Sequence, residues 1–404
     1  MPMIPSSLAL ILSICLILIL IRCRVIPGFA ILCGGIALAI SVLTLSQIPG
    51  MLVVTFISSQ LWQLLLIIAS ALTLSHLLEM KGLLTALAET LESIGPRVAI
   101  TATPSVIGLV PMPAGALVSA AAVKDLVPRL GLKPAEATFI NYWFRHIWEF
   151  SLPVYPAIIT TGVILDVPLS DVVVSLLPLT ALAGLVGMAE NLRILRSKPN
   201  ASVSKVKQRN IPFRLLLSAW PIFLIFSLVL AGVKAWIAFP STLILVMTQQ
   251  KARWGDIKSS LRYGLEPKIL VLLISVMLYK TVIETSGSAN VLIADLNVLK
   301  FPPVIVIALL PFLIGLATGF SMAFVGVTFP LLVPLLTQGG DIAYFPLLLA
   351  YVSGGIGLLL SPMHLCLMLS TEYFNARLFD VYRHIVPLVL LMEITILIPY
   401  LLFA

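Results

Sequence analysis

The sequence predicts an all-α polytopic membrane protein made of two inverted repeats. Each repeat holds about five transmembrane helices, one of them broken, plus a re-entrant hairpin, giving about 10 crossings in all. Three observations predict it. The 404-residue chain is 60% hydrophobic and 10% charged, with a mean hydropathy of +1.12, which no soluble domain of this size sustains. Apolar runs long enough to cross a bilayer recur along its whole length. The order of those runs, and of the signals that interrupt them, occurs twice.

In chain order, the apolar runs of the first half lie at 6–21, 26–46, 60–79, 138–164 and 171–190. Those of the second half lie at 213–232, 235–250, 268–285, 344–370 and 385–403, the run at 235–250 being short for a span. The run at 6–21 is expected to be a retained helix and not a cleavable leader, because Arg22 and Arg24 follow it and no basic segment precedes it. Two further apolar segments, 98–127 and 302–337, are heavily punctuated. The first carries Pro104, Gly108, Pro111, Pro113 and Gly115; the second carries Pro311, Gly315, Gly319, Gly326, Pro330 and Pro334. Proline and glycine interrupt a helix near its middle, so each segment reads as a re-entrant hairpin, or else as a pair of ordinary spans.

The duplication shows in the residues. Leu64–Gly82 lies over Ile269–Gly287, matching Ser70 with Ser275, Glu79 with Glu284 and Gly82 with Gly287; farther on, Tyr142 lies over Tyr351 and Pro153 over Pro362. The division is 1–191, a basic linker 192–212, and 213–404. Five crossings is an odd number, so the second repeat enters from the opposite side. Charge agrees. With both termini outside, Arg22, Arg24, Lys81, Arg97, Lys124, Arg129 and Lys133 fall in cytoplasmic loops. So do the linker from Arg193 to Arg214 and the later group Lys251, Arg253, Lys258, Arg262, Lys268, Arg377 and Arg383. Only Lys234, Lys280 and Lys300 remain outside. The net charge of +8 therefore reports topology, and no nucleic-acid partner is implied. Cys15, Cys23, Cys33 and Cys366 form no CxxC pair, so neither a disulfide nor a metal site is expected.

Candidate site residues fall at the interruptions. Asn141 to Thr161 packs Arg145, His146 and Glu149 into five positions ahead of Pro153 and Pro156. At helical spacing Arg145 and Glu149 are i, i+4 and share a face. Such charge either anchors a helix end at the surface or faces a protein-lined cavity. The first hairpin tip, with Pro111, Pro113, Ala114 and Gly115, is either a packing turn or an anion site at the start of the following helix. The second tip offers Thr318, Gly319, Ser321 and Thr328, whose hydroxyls suit a polar ligand or sodium, or bond back to their own helix. Ser353, Gly354 and Gly355 loosen the segment 351–364, Ser361 and Pro362 break it, and His364 follows. His146, Glu149, Thr328 and His364 are the candidates for ion or proton coupling. Glu79 and Glu284 are expected at the surface, Lys280 to pair with Glu284, and Glu393 has no evident partner.

Pro-Met-Pro-Ala-Gly-Ala at 111–116, Asn-Tyr-Trp-Phe-Arg-His-Ile-Trp-Glu at 141–149 and Gly-Gly-Ile-Gly-Leu-Leu-Leu-Ser-Pro-Met-His-Leu-Cys at 354–366 carry a resemblance. Over nearly its whole length the chain resembles the membrane family called domain of unknown function 401. That family is grouped in the ion transporter superfamily with gluconate, citrate, dicarboxylate and arsenite carriers and some sodium/proton antiporters. The resemblance implies two inverted repeats with re-entrant hairpins and broken helices, a homodimer and an elevator-like cycle. The Ser-Asn-Thr signature at the tips of dicarboxylate carriers is absent, which weighs against sodium coupling and a dicarboxylate.

The sequence lacks a GxSxG elbow, a GxxxxGK[ST] phosphate loop and an HExxH pair, so no enzyme and no nucleotide-driven pump is expected. The expectation is an ion-coupled secondary transporter in the plasma membrane, without a cofactor beyond a coupling H+ or Na+. Its substrate would be a small anion, an organic carboxylate, held by Arg145 between the tips and the broken helices. Rival readings are a cation/proton antiporter using Glu149, a channel or an intramembrane enzyme.

Overall fold

A computed structural model describes residues 5–83, 90–91, 94–112, 115–198 and 211–403. The first half forms α1 (Ser6–Arg22), α2 (Pro27–Val42), α3 (Gln47–Ile57) and α4 (Ser59–Met80). It continues with α5 (Pro96–Ile107), α6 (Gly115–Val123), α7 (Leu126–Arg129), α8 (Pro134–His146), a 3₁₀ turn (Ile147–Phe150), α9 (Pro156–Leu165) and α10 (Leu169–Arg196). The second half forms α11 (Ile211–Leu230), α12 (Ala235–Gln249), α13 (Trp254–Gly264), α14 (Pro267–Ser286), α15 (Ser288–Val298), α16 (Pro303–Thr318) and α17 (Ser321–Leu336). A two-residue antiparallel ribbon, β1 (Thr337–Gln338) with β2 (Asp341–Ile342), leads to α18 (Tyr344–Leu360), α19 (Leu365–Tyr373) and α20 (Leu378–Phe403). The fold is therefore helical almost throughout, as the apolar runs imply.

Each expected crossing coincides with a helix or a broken pair. Five stretches are long and apolar enough to cross singly: Ser59–Met80, Leu169–Arg196, Trp254–Ser286, Tyr344–Tyr373 and Leu378–Phe403; the remaining apolar helices are shorter. The interrupted segments are hairpins. At 1.5 Å per residue, α5 and α6 reach only about 18 and 14 Å, well short of a hydrocarbon core of about 30 Å; α16 and α17, about 24 Å each, are as long as α2 and are set apart by the sharp turn at Gly319 that joins them. Within each hairpin the two arms pack on one another.

Three helices were not anticipated from the sequence: α3, α13 and α15. Each has 11 residues, too few to span, so span-length reasoning passes over them. The linker expectation falls on 199–210, outside the described residues; α10 itself continues to Arg196.

The repeated order is matched by an exchange of packing. Helix α2 lies on α14, and its counterpart α12 lies on α4. Helix α13 packs on α4, and α3 on α14. The second half of each broken helix packs on the other repeat's hairpin: α9 on α17, and α19 on α6. Within each repeat the first hairpin arm packs on the broken helix, α5 on α8 and α16 on α18. The second of these contacts is close enough that a Cβ on Gly357 would sit 2.1 Å from the Phe312 carbonyl oxygen. The buried core thus lies between the halves, around both helix breaks.

The surface expectation holds for Glu79 and Glu284 and not for Lys280, although its expected pairing is present. Glu79 and Glu284 are exposed. Lys280 is buried, its Nζ 2.9 Å from Glu284 Oε1 and donating to Gln60 Oε1 at 3.0 Å. Glu393 gains a partner: Ser353 Oγ donates to its Oε1 at 2.7 Å.

Candidate functional site

Helix α8 ends at His146 because the chain tightens into a 3₁₀ turn and then meets Pro153 and Pro156. That tightening corrects the expected shared face of Arg145 and Glu149. A 3₁₀ turn has three residues per turn, so Glu149 is carried over His146, three residues back. Its Oε1 lies 3.8 Å from His146 Nε2, and among the described residues no carboxylate oxygen comes within 4.0 Å of the guanidinium.

Arg145 is 2% exposed. It crosses to the first hairpin tip, where Nη2 donates to the Met112 carbonyl at 2.9 Å. Its Nη1 lies 3.4 Å from His146 Nε2, and its Nε has no partner. The Nε and Nη2 edge faces Gly115, the first residue of α6: a Cβ there would fall 2.4 Å from Nη2 and 2.8 Å from Nε. Glycine is required for this approach. The guanidinium therefore lies against the amino end of a nine-residue helix, where backbone N–H groups favour negative charge. Pro111 is buried beside it, whereas Pro113 and Ala114 lie outside the described residues. Asn141, one turn earlier, donates through Nδ2 to the Ala116 carbonyl at 3.0 Å and to Ser370 Oγ at 2.9 Å, leaving Oδ1 without a partner.

The second repeat arranges its break in the same way. In the register that sets Tyr142 over Tyr351, Tyr155 falls over His364. Tyr155 OH donates to the Gly108 carbonyl at the end of the first hairpin arm, and His364 Nδ1 binds the Gly319 carbonyl at 2.8 Å in the second. Gly319 has φ +61°, and a Cβ on it would meet His364 N at 2.5 Å. Ser361 Oγ donates to the Leu316 carbonyl at 2.6 Å, tying the same break to the same arm. In that register, however, Arg145 and His146 fall over Gly354 and Gly355. A Cβ on Gly354 would strike the Phe324 ring and one on Gly355 the Phe150 ring. The two glycines are packing positions against these rings, so the charged group belongs to one repeat alone.

The halves meet at the histidines. His146 Nε2 and His364 Nε2 are 3.0 Å apart, and both rings are buried. A void no larger than about one water molecule lies beside them, lined by His146, Glu149, Phe150, Ser321, Phe324 and Tyr351. Tyr351 OH donates to the Glu149 carbonyl at 3.1 Å.

Other expected hydroxyls have partners of their own. Thr318 Oγ1 donates to Ile314 O at 2.7 Å and Thr328 Oγ1 to Phe324 O at 2.6 Å, so both hydroxyls are taken by their own helices. Ser353 donates to Leu349 O and Glu393, and Pro362 is exposed.

Sequence reasoning missed Tyr155 and Cys366. The repeat register could have found Tyr155, because it aligns with His364. Cys366, in the first turn of α19, brings its Sγ to the two histidines: Sγ and one ring nitrogen of each of His146 and His364 lie within 4.8 Å of one another. Bond lengths of about 2.3 Å to sulfur and 2.0–2.1 Å to nitrogen put a zinc site's donors about 3.3–3.6 Å apart. The two Nε2 atoms, 3.0 Å apart, are closer than that spacing, and the Arg145 guanidinium lies 3.4 Å from one of them, so as they stand these residues do not match a zinc ion's donor geometry.

Fold and site define a polytopic, internally duplicated α-helical membrane protein whose hairpins and broken helices converge on one buried charged centre. The chain belongs to the family described as "Protein of unknown function (DUF401)", whose profile matches residues 4–403. A solved structure of the Alcanivorax borkumensis YdaH transporter, described as having an unusual topology, is similar in fold, with a TM-score of 0.62, 14% sequence identity and 91% of each chain covered. Among curated protein sequences none matches this chain.

Proposed function

We propose that this protein is an ion-coupled secondary transporter of a small anion, an organic carboxylate, working by alternating access. The observation that carries the proposal is Arg145. A guanidinium at bilayer depth is unfavourable by about 2.5–3.5 kcal/mol on insertion scales and calls for a compensating anion. Among the described residues no carboxylate oxygen lies within 4.0 Å of the guanidinium, Glu149 being turned to His146 instead, and its Nε is unpartnered. A carboxylate across the Nε and Nη2 edge would accept two parallel hydrogen bonds and complete the charge. The amino end of α6 adds its field to the same place.

The burial of Arg145 supports alternating access. Its Nε and Nη2 edge lies against Gly115, so entry of a carboxylate requires the hairpin tip and the broken helix to separate. The similarity in fold to the YdaH transporter supports the same reading. Placement in the plasma membrane, termini outside, a homodimer and an elevator-like cycle belong to this proposal.

The test is uptake into proteoliposomes of a panel of sugar acids, mono- and dicarboxylates and inorganic oxyanions, with and without sodium and a pH gradient. Saturable uptake of a carboxylate by the wild type is expected. Exchanging the charges (Arg145→Glu with Glu149→Arg) should abolish it while the protein remains folded in the membrane. Sodium- or proton-driven cation exchange, with no anion taken up, would instead establish the antiporter that uses Glu149.

A further inference from the structure

We infer that a single proton is bound between His146 and His364, joining the two repeats, and that it competes with Arg145 for one lone pair. The first part rests on hydrogen-bond geometry alone; its role in coupling rests on the anion-transporter reading above.

Each imidazole has its Nδ1 against a backbone carbonyl: His146 against Tyr142 O at 2.6 Å and His364 against Gly319 O at 2.8 Å. A carbonyl oxygen accepts and cannot donate, so both Nδ1 atoms must carry hydrogen. In two neutral rings both Nε2 atoms are then bare lone pairs. These atoms nevertheless face each other at 3.0 Å, with ring centroids 4.9 Å apart and planes at 73°, so the rings do not stack. Two lone pairs at that separation repel. One added proton turns the contact into an N–H donating to a nitrogen acceptor, of ordinary length. The pair therefore holds one proton more than two neutral imidazoles.

Arg145 and Tyr142 from α8 and Glu149 from the 3₁₀ turn face this pair, as do Tyr351 from α18 and Cys366 from α19. Glu149, with Oε1 3.8 Å from His146 Nε2, is the one carboxylate among them. Arg145 Nη1 lies 3.4 Å from the same nitrogen. An imidazole nitrogen has one in-plane lone pair. When the proton is present, His364 Nε2–H donates into it and Arg145 Nη1 leaves the ring, which frees the guanidinium to turn its Nε and Nη2 edge toward an incoming anion. When the proton leaves, Arg145 Nη1 closes on His146 and His364 loses its hold on the first repeat. Proton and anion would thus bind together, and losing the proton would loosen the contact between the repeats at their centre.

Nitrogen-15 NMR of histidine-labelled protein in lipid tests the bridge without any transport measurement. The chain has four histidines, and His146→Gln and His364→Gln assign the two signals. Expected are hydrogen on both Nδ1 atoms, uptake of one proton by the two rings together between pH 5 and 9, and a through-hydrogen-bond coupling between the two Nε2 nitrogens. Independent uptake of two protons, or none in that range, overturns the inference. So does a change in the pair's signals on adding zinc or EDTA to the wild type, which would place a metal ion between the rings. If the bridge is seen and the carboxylate panel shows no uptake, the transport reading fails and the proton site stands.

Discussion

Arg145 meets its neighbours through geometry that substitution can separate from charge. Arg145→Lys keeps the charge but loses the planar fork, and a lysine cannot span Met112 O and a carboxylate as the guanidinium does. Charge-assisted hydrogen bonds are worth about 1.5–3 kcal/mol, so uptake affinity should fall about 10- to 100-fold in this variant. Unchanged affinity in the proteoliposome assay would show that Arg145 does not touch the substrate. The charged cluster at 145–149 was legible because charge in an apolar run is rare. Its pairing was not, because a local change from 3.6 to three residues per turn decides which neighbour Glu149 reaches, and that change follows from the proline break. The contact with His364 joins residues more than two hundred positions apart, which periodicity cannot show.

At the scale of single elements, the two hairpins depend on glycines held against side chains. Gly115→Ala puts a methyl carbon where Arg145 Nε and Nη2 lie, while α6 itself gains a better helix former. Uptake should therefore be lost with little change in thermal stability, a combination read by pairing flux with a thermal-denaturation assay. Gly319→Ala should act differently. The left-handed conformation costs a residue with a Cβ about 1–2 kcal/mol, and the methyl also meets the His364 backbone, so both stability and uptake should fall. Equal behaviour of the two variants would show that the tips are not distinguished in this way. The crossings and hairpins were visible as apolar length and punctuation. The short helices α3, α13 and α15 were not, since nothing in 11 residues distinguishes a connecting helix from a loop by span length.

On the scale of the whole molecule, the proposed topology, with both termini outside, puts the segment joining the repeats in the cytoplasm together with most of the basic residues. A cysteine introduced at Ser202 should react with an impermeant thiol reagent only from the cytoplasmic face, after Cys15, Cys23, Cys33 and Cys366 are replaced. Labelling from outside would mean that the number of crossings in the first half is not odd. The two repeats contribute unequally to the centre: at the aligned positions the first has Arg145 and His146 and the second Gly354 and Gly355, so the arginine comes from the first repeat alone, and the second adds His364.

The exchanged packing of α2 on α14, α12 on α4, α9 on α17 and α19 on α6 has a consequence for how the chain is made. While the ribosome is still translating the second half, the inserted first half has no mate for these faces. Buried glycines and polar groups such as Asn141, whose partner Ser370 comes late in the chain, must wait in lipid or beside a membrane chaperone. Native assembly can finish only after the C-terminal segments emerge. Cutting the gene within 199–210 should then yield two fragments that are each degraded when expressed alone and that protect one another when expressed together.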